Sequence, residues 1–360
     1  AALAARASGS PAGQTFALGG QACGRPAAGA LAGARATPTR CPRTARRVWD
    51  TAWMSDPVVS CVGWTVVAMS LLIVRVATAA GEDDAETPTT FLQATSAGAP
   101  KGVPVVCLGD SLTRGNLSAN WVQQLKGQLS LSAEDRGEPT VLNAGVNMHC
   151  SKNLQDRLCE VIACQPSHVS ILVGTNDLKA ELSPVEGFMY RVFGQLPEVP
   201  TLETYERTLT EMREALVAAG ARVALVSPPV LGEDLNSAAN RRAAQFAEAV
   251  KRVADSGGER CAYLPLFERT SEALPAEGGK AYCGLHFFAW LCMLCVDLYV
   301  FRKNLEQVQR ERNLGVTIDL VHLGPKAASV LAGMVADFVE SADAVAAGAS
   351  PLEFAAPATA

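Results

Sequence analysis

The run Val103-Pro-Val-Val-Cys-Leu-Gly109 carries no charge and no polar–apolar alternation. A strand with that pattern is apolar on both faces, so both faces need cover, as in a parallel sheet flanked by helices. Further apolar runs fall at 140–144, 168–174, 222–227 and 261–264. Between and after them lie segments with helical periodicity, about 119–131, 153–164, 203–219, 237–256 and 325–345. In 203–219 the apolar positions Leu209, Met212, Leu216 and Val217 sit among charges, which makes a surface helix with one buried face, and Gly220 ends it. Gly324-Pro325 opens the last helix with proline at its first position. Strands alternating with helices specify an α/β fold around a parallel sheet.

The first run stops at Gly109-Asp110-Ser111. In open α/β sheets ligands sit at the C-terminal tips of strands. Gly109 lets the chain turn there, which presents Ser111 as a candidate nucleophile. A Gly-Asp-Ser triplet by itself also describes an ordinary turn. Three later stretches add to it. Val141-Leu-Asn-Ala-Gly145 and Val169-Ser-Ile-Leu-Val-Gly-Thr-Asn-Asp177 end strand-like runs in Gly145 and in Gly174-Thr175-Asn176-Asp177. Asp319-Leu-Val-His322 places a carboxylate three residues before an imidazole, just ahead of the last helix.

This ordered set resembles the SGNH (GDSL) hydrolases, whose four blocks carry Ser, Gly, Asn and His, over roughly residues 101–345. The resemblance implies a three-layer α/β/α sandwich with a five-stranded parallel sheet, flavodoxin-like in architecture. It implies Ser111, Asp319 and His322 as catalytic residues. It assigns the oxyanion hole to the Ser111 amide, the Gly145 amide and the Asn176 side chain. Asp110 and Asp177 read as loop-bracing residues. Two departures leave the subfamily open: Val146-Asn147-Met148-His149 follows Gly145 where many members have small residues, and Leu320-Val321 precedes His322 where many have glycine after the aspartate.

The residue types suit acyl transfer. An imidazole takes the serine proton as attack occurs. A carboxylate fixes its tautomer and stabilises the imidazolium. This chemistry requires no metal or cofactor. The expected activity is a serine esterase acting on a carboxylic ester: a lipid acyl ester, a lysophospholipid or an acetylated sugar. An acyltransferase using the same site, and a membrane-tethered binding domain of the same fold without activity, are the alternatives. The first loop has too few glycines to wrap a phosphate. A net charge of −5 gives no basic footprint for nucleic acid, and nothing marks an obligatory protein partner.

Residues 1–57 are rich in Ala, Gly, Pro and Arg, with seven arginines against Asp50 and Asp56, and the first methionine is Met54. They read as a disordered or targeting segment, or as translation upstream of Met54. Val58–Val74 is an uncharged, largely apolar run of seventeen residues. Extended to 80 with Arg75 snorkelling, it reads as a signal anchor. Arginines precede the run and acidic residues follow it, so the C-terminal part is expected on the lumenal or extracellular side. Cleavage after Ala79 would instead give a secreted protein. Residues 81–100 read as a linker, 101–345 as the hydrolase domain and 346–360 as a flexible tail.

Among eleven cysteines, Cys107 falls in a strand, and Cys292-Met-Leu-Cys295 has pair spacing without a second pair, so core packing is expected for both. In a lumenal domain some of Cys150, Cys159, Cys164, Cys261 and Cys283 would be available for disulfides. Of the four histidines, His168 opens a strand and reads as structural, and His149 follows the Gly145 block beside the site. The apolar stretch 283–301, interrupted by Asp297, reads as a buried helix or an apolar flap near the site.

Overall fold

The computed structural model describes residues 86–98, 102–131 and 140–346. The expected N-terminal segment, anchor and tail lie outside the described residues, which all belong to the unit Asp56–Ala360.

Five strands appear where the apolar runs place them: β1 Val105–Gly109, β2 Val141–Gly145, β3 His168–Leu172, β4 Arg222–Val226 and β5 Cys261–Leu264. All pair in parallel, in the order β2-β1-β3-β4-β5. The register aligns the C-terminal ends of the first three strands, with Gly109 opposite both Gly145 and Leu172. The chain leaves β1 to one side to form β2 and comes back to its other side to form β3. The connections therefore diverge at β1 and β3, which leaves a crevice beyond their C-terminal ends.

Strand side chains divide between two cores. Val106 and Leu108 of β1 join Tyr205, Leu209, Met212, Phe246 and Val250 in one cluster. Val105 and Cys107 join Trp121, Leu125, Leu331 and Val335 in the other. The first cluster is covered by α8 (Leu202–Ala218) and α9 (Ala238–Asp255), the second by α3 (Trp121–Leu131) and α13 (Pro325–Ala346). This is the three-layer α/β/α arrangement. Two short helices, α10 (Leu266–Glu272) and α12 (Leu305–Glu311), follow β5 on the way to α13. Burial lifts the Cys107 thiol to about 12, so it stays protonated in the core.

Two sequence expectations change. The segment read as a linker contains α1, Pro88–Ser96, and Phe91 is buried in the first core cluster. Thr87 caps this helix and Pro88 occupies its first turn. The domain thus reaches back at least to Glu86, whose carbonyl accepts from the Asn143 amide of β2 at 2.8 Å. The single helix expected over 153–164 is two, α4 Ser151–Asp156 and α5 Leu158–Ala163, because Arg157 between them leaves helical geometry. Its guanidinium reaches the Gly109 and Ala144 carbonyls at 3.0 and 2.7 Å.

The stretch 283–301 forms α11, Gly284–Cys295, and a π-helical turn, Val296–Val300. Leu294 and Cys295 are buried, but Met293, Tyr299, Val300 and Phe301 are exposed. Asp297 pairs with Lys303 and Arg312 at 2.9 and 3.0 Å. Among the described residues no helix is long and apolar enough to cross a membrane. Among the described residues Cys150, Cys159, Cys261, Cys283, Cys292 and Cys295 are free cysteines.

Candidate active site

The crevice beyond β1 and β3 is where the candidate residues converge. Asp110, directly after β1, caps a single helical turn, α2 (Ser111–Arg114), by accepting from the Leu112 amide at 2.9 Å. Ser111 is the first residue of that turn, so its own amide has no acceptor within the helix. Its Oγ lies 3.0 Å from Nε2 of His322. On the other side of the ring, Nδ1 lies 2.7 Å from Oδ2 of Asp319. Ser111 is 9% exposed, His322 3% and Asp319 0%, so this relay is shielded from water up to the serine.

Asp319 also shapes its own loop, accepting the amides of Val321 and His322 on Oδ1 at 3.1 and 2.7 Å. Burial pushes its pKa up, but the His322 charge, its hydrogen bond and these amides outweigh burial and hold it below the usual value. Between the two residues Leu320 adopts φ +73°, a left-handed conformation that costs a non-glycine residue about 1–2 kcal/mol. The loop closes on itself through Ile318 N to His322 O, 2.9 Å, and a Thr317–Leu323 bridge.

The oxyanion candidates are placed differently. The Gly145 amide donates to Asn143 Oδ1 at 2.9 Å. A Cβ at Gly145 would come within 2.2 Å of the Arg114 backbone nitrogen. This glycine admits the close approach of α2, and its amide is engaged by Asn143 in this structure. The residue in this loop with strained backbone is Met148, at φ +65°.

Asn176 stands in the first turn of α6 (Thr175–Leu182), after Gly174 at φ +124°. Its Nδ2 donates to the His149 carbonyl at 2.9 Å and, more weakly, to Asp110 Oδ2 at 3.3 Å. Its Oδ1 accepts from the Tyr190 hydroxyl at 2.7 Å, which fixes the amide's orientation. Tyr190 lies on α7, Pro184–Phe193.

The bracing expected of Asp110 and Asp177 is visible. Asp177 accepts from the Ser151 amide and hydroxyl, tying α6 to α4. Burial raises the Asp110 carboxyl to about 7 and that of Asp177 to about 6, against partial relief from the Leu112 and Ser151 hydrogen bonds respectively. His149 touches the site through its carbonyl; burial, with the Arg157 charge second, lowers its ring to about 4, and Nδ1 accepts from Arg157 at 3.3 Å. His168 packs edge-on against Phe338, 5.4 Å between centroids, far from any chemistry.

Several neighbours were not legible beforehand. Lys179, 3% exposed, lies under the Phe287 ring at 3.8 Å and 3.6 Å from Glu186. Burial lowers its pKa, while Glu186 and Asp319 act to raise it. The Tyr282 hydroxyl donates to Glu186 at 2.6 Å, and Phe287 lies 6.3 Å from the His322 ring. The spacing of Lys179 after Asn176 was visible, but its partners lie on other elements.

The profile of the GDSL-like Lipase/Acylhydrolase family matches residues 107–288. No curated protein matches the chain. Among solved structures, the chain is similar to a catalytic mutant of Axe2, an acetylxylan esterase from Geobacillus stearothermophilus. Identity is 17% and the TM-score 0.45, over 65% of this chain and 93% of that one. LAE5, described as an alpha/beta hydrolase enzyme from the metagenome of Lake Arreo, Spain, shows 18% identity and a TM-score of 0.44 over 65% and 93%.

Proposed function

The chain belongs to the GDSL-like lipase/acylhydrolase family and is a serine hydrolase acting on ester bonds, and from that premise we propose that it works through an acyl-enzyme on Ser111. The observation that carries this reading is the unbroken contact from Asp319 Oδ2 through the His322 ring to Ser111 Oγ, at 2.7 and 3.0 Å.

His322 Nε2 takes the hydroxyl proton as Ser111 Oγ attacks the carbonyl carbon, and Asp319 stabilises the imidazolium across Nδ1. The same proton passes to the leaving alkoxide, giving the free alcohol and the acyl-serine. Water, deprotonated by His322, then attacks the acyl carbon; the ester bond to Ser111 breaks and the serine regains its proton. The Ser111 amide is one donor to the tetrahedral oxyanion. Asn176 becomes a second when the oxyanion replaces its long bond to Asp110.

For the substrate we favour an ester with an apolar acyl chain. Phe287 beside His322 supports this, as do the exposed apolar side chains of α7, Val185, Phe188, Val192 and Phe193. Attachment of the enzyme to a membrane through residues 58–80, with the hydrolase domain lumenal or extracellular, rests on the sequence pattern alone.

The test is hydrolysis of p-nitrophenyl acetate, butyrate and octanoate by the full chain and its Ser111→Ala variant. Turnover rising with chain length and lost in the variant, by about 10⁴-fold or more, is the expected result. Preference for acetate would turn the substrate reading toward acetylated sugars. A folded Ser111→Ala protein as active as wild type would refute the acyl-enzyme.

A further inference from the structure

The loop that carries Asp319 and His322 belongs to no strand of the sheet, contains a left-handed leucine, and yet delivers Nε2 to within hydrogen-bonding reach of Ser111. Such strained backbone persists only where its surroundings over-determine it. Much of that determination comes from one carboxylate in the β4–α9 connection. Glu233, 5% exposed, accepts the Val316 amide at 2.9 Å, the Thr317 amide at 2.8 Å and the Thr317 hydroxyl at 2.9 Å, all on Oε1. Its Oε2 accepts the Gly315 amide at 2.8 Å. The residue before it, Gly232, donates its amide to the carbonyl of the strained Leu320 at 2.8 Å. Two consecutive residues thus grip the catalytic loop at its entrance and at its tip. Other contacts are thinner: Ala119 N holds Leu323 O at 3.0 Å, and Arg312 holds Ile318 O at 3.0 Å.

We propose that Glu233 is a positioning residue for the general base: its buried carboxylate sets the course of Gly315–Thr317 and through it the reach of His322 to Ser111. This rests on the reading of His322 as general base. A carboxylate suits the place because all four of its partners are donors and it has no hydrogen of its own to oppose them. An amide cannot do the same. In Glu233→Gln, a side chain that kept its oxygen toward Val316 and Thr317 would turn its NH₂ onto the Gly315 N–H, and the reverse orientation would set that NH₂ against the Val316 and Thr317 amides. The loop would have to shift, and displacements of about 1 Å in a catalytic group can cost about 10²-fold in rate.

The experiment compares the full-length wild type with Glu233→Gln, Glu233→Ala, Thr317→Val and His322→Ala. Each rate is divided by the number of sites titrated with a p-nitrophenyl phosphonate that reacts with Ser111, so that unfolded protein does not count. The low-field proton resonance of the His322–Asp319 hydrogen bond is recorded alongside. In Glu233→Gln we expect kcat per titrated site to fall about 10-fold with KM within twofold of wild type, and the proton resonance to shift or broaden. Thr317→Val, which removes one of four donors, should fall about two- to threefold. Wild-type kcat per site and an unmoved resonance in Glu233→Gln, even with a lowered melting temperature, would overturn the proposal by showing that the carboxylate serves only stability. Should Glu233→Ala fail to fold, the isosteric Gln variant alone decides. Activity surviving in His322→Ala would instead refute the general-base reading itself, a result the Glu233 variants cannot produce.

Discussion

The two halves of the site are in different states of readiness. On the base side, Asp319, His322 and Ser111 are already in contact, and the loop beneath them is tied to Glu233 and Gly232. On the donor side, the candidate oxyanion groups are engaged by the protein itself: Gly145 with Asn143, and Asn176 with His149 and Asp110. On the proposed mechanism the nucleophile waits preorganised, while part of the oxyanion hole has to be released by the substrate. The difference follows from chemistry. A relay of carboxylate, imidazole and hydroxyl satisfies its own hydrogen bonds when idle, whereas buried amides aimed at nothing would be costly, by about 1–3 kcal/mol each.

The largest test of this contrast is on the finished half. Asp319→Asn should lower kcat by about 10³–10⁴-fold with little effect on KM, because the ring would be held in the wrong tautomer. Steady-state kinetics with p-nitrophenyl butyrate would check it, and a loss below tenfold would mean that the relay is not preorganised as described.

On the unfinished half, Asn176→Ala should cost about 10²–10³-fold in kcat, the range for removing one oxyanion donor. Because Asn176 also braces His149 and Tyr190, the melting temperature should drop as well. Unchanged kcat alongside a lowered melting temperature would make Asn176 purely structural and leave the Ser111 amide without that partner.

The smallest effect is electrostatic. Asp110 is neutral below about pH 4 in both folded and unfolded chains, and burial raises its folded pKa to about 7. The folded state thus binds more protons between these values, and the stability owed to this group is lost as the pH rises from about 4 through 7. Denaturant midpoints for wild type should decline more steeply over that window than those of Asp110→Asn. Parallel profiles would show that burial does not hold the proton there.

How far the sequence could be read depended on the distance over which each feature is decided. Strands buried on both faces must be apolar throughout, so 105–109, 141–145 and 168–172 announced themselves, and strand tips placed Ser111 and Asn176. Asp319 and His322 were legible because their pairing is local, three residues within one turn. Glu233 was not, since its partners lie more than eighty residues away and nothing near it marks a carboxylate to be buried. Gly145 was visible as a glycine that matters, but sequence could not say whether the space was needed by a substrate or by the Arg114 backbone. The helix at Pro88–Ser96 had a readable start in Thr87-Pro88, outweighed by the Thr-, Ala- and Pro-containing composition around it.

Ser111 and His322 stand 211 residues apart in the chain. On the proposed mechanism the nucleophile emerges during synthesis long before its base, and until then it is an ordinary alcohol. On that mechanism the later-made loop at 315–323, with helix α13 behind it, acts as an arming step, so a chain cut short of it would not attack the esters around it. Appearance of esterase activity on the ribosome would therefore clock the docking of the C-terminal segment rather than the formation of the sheet.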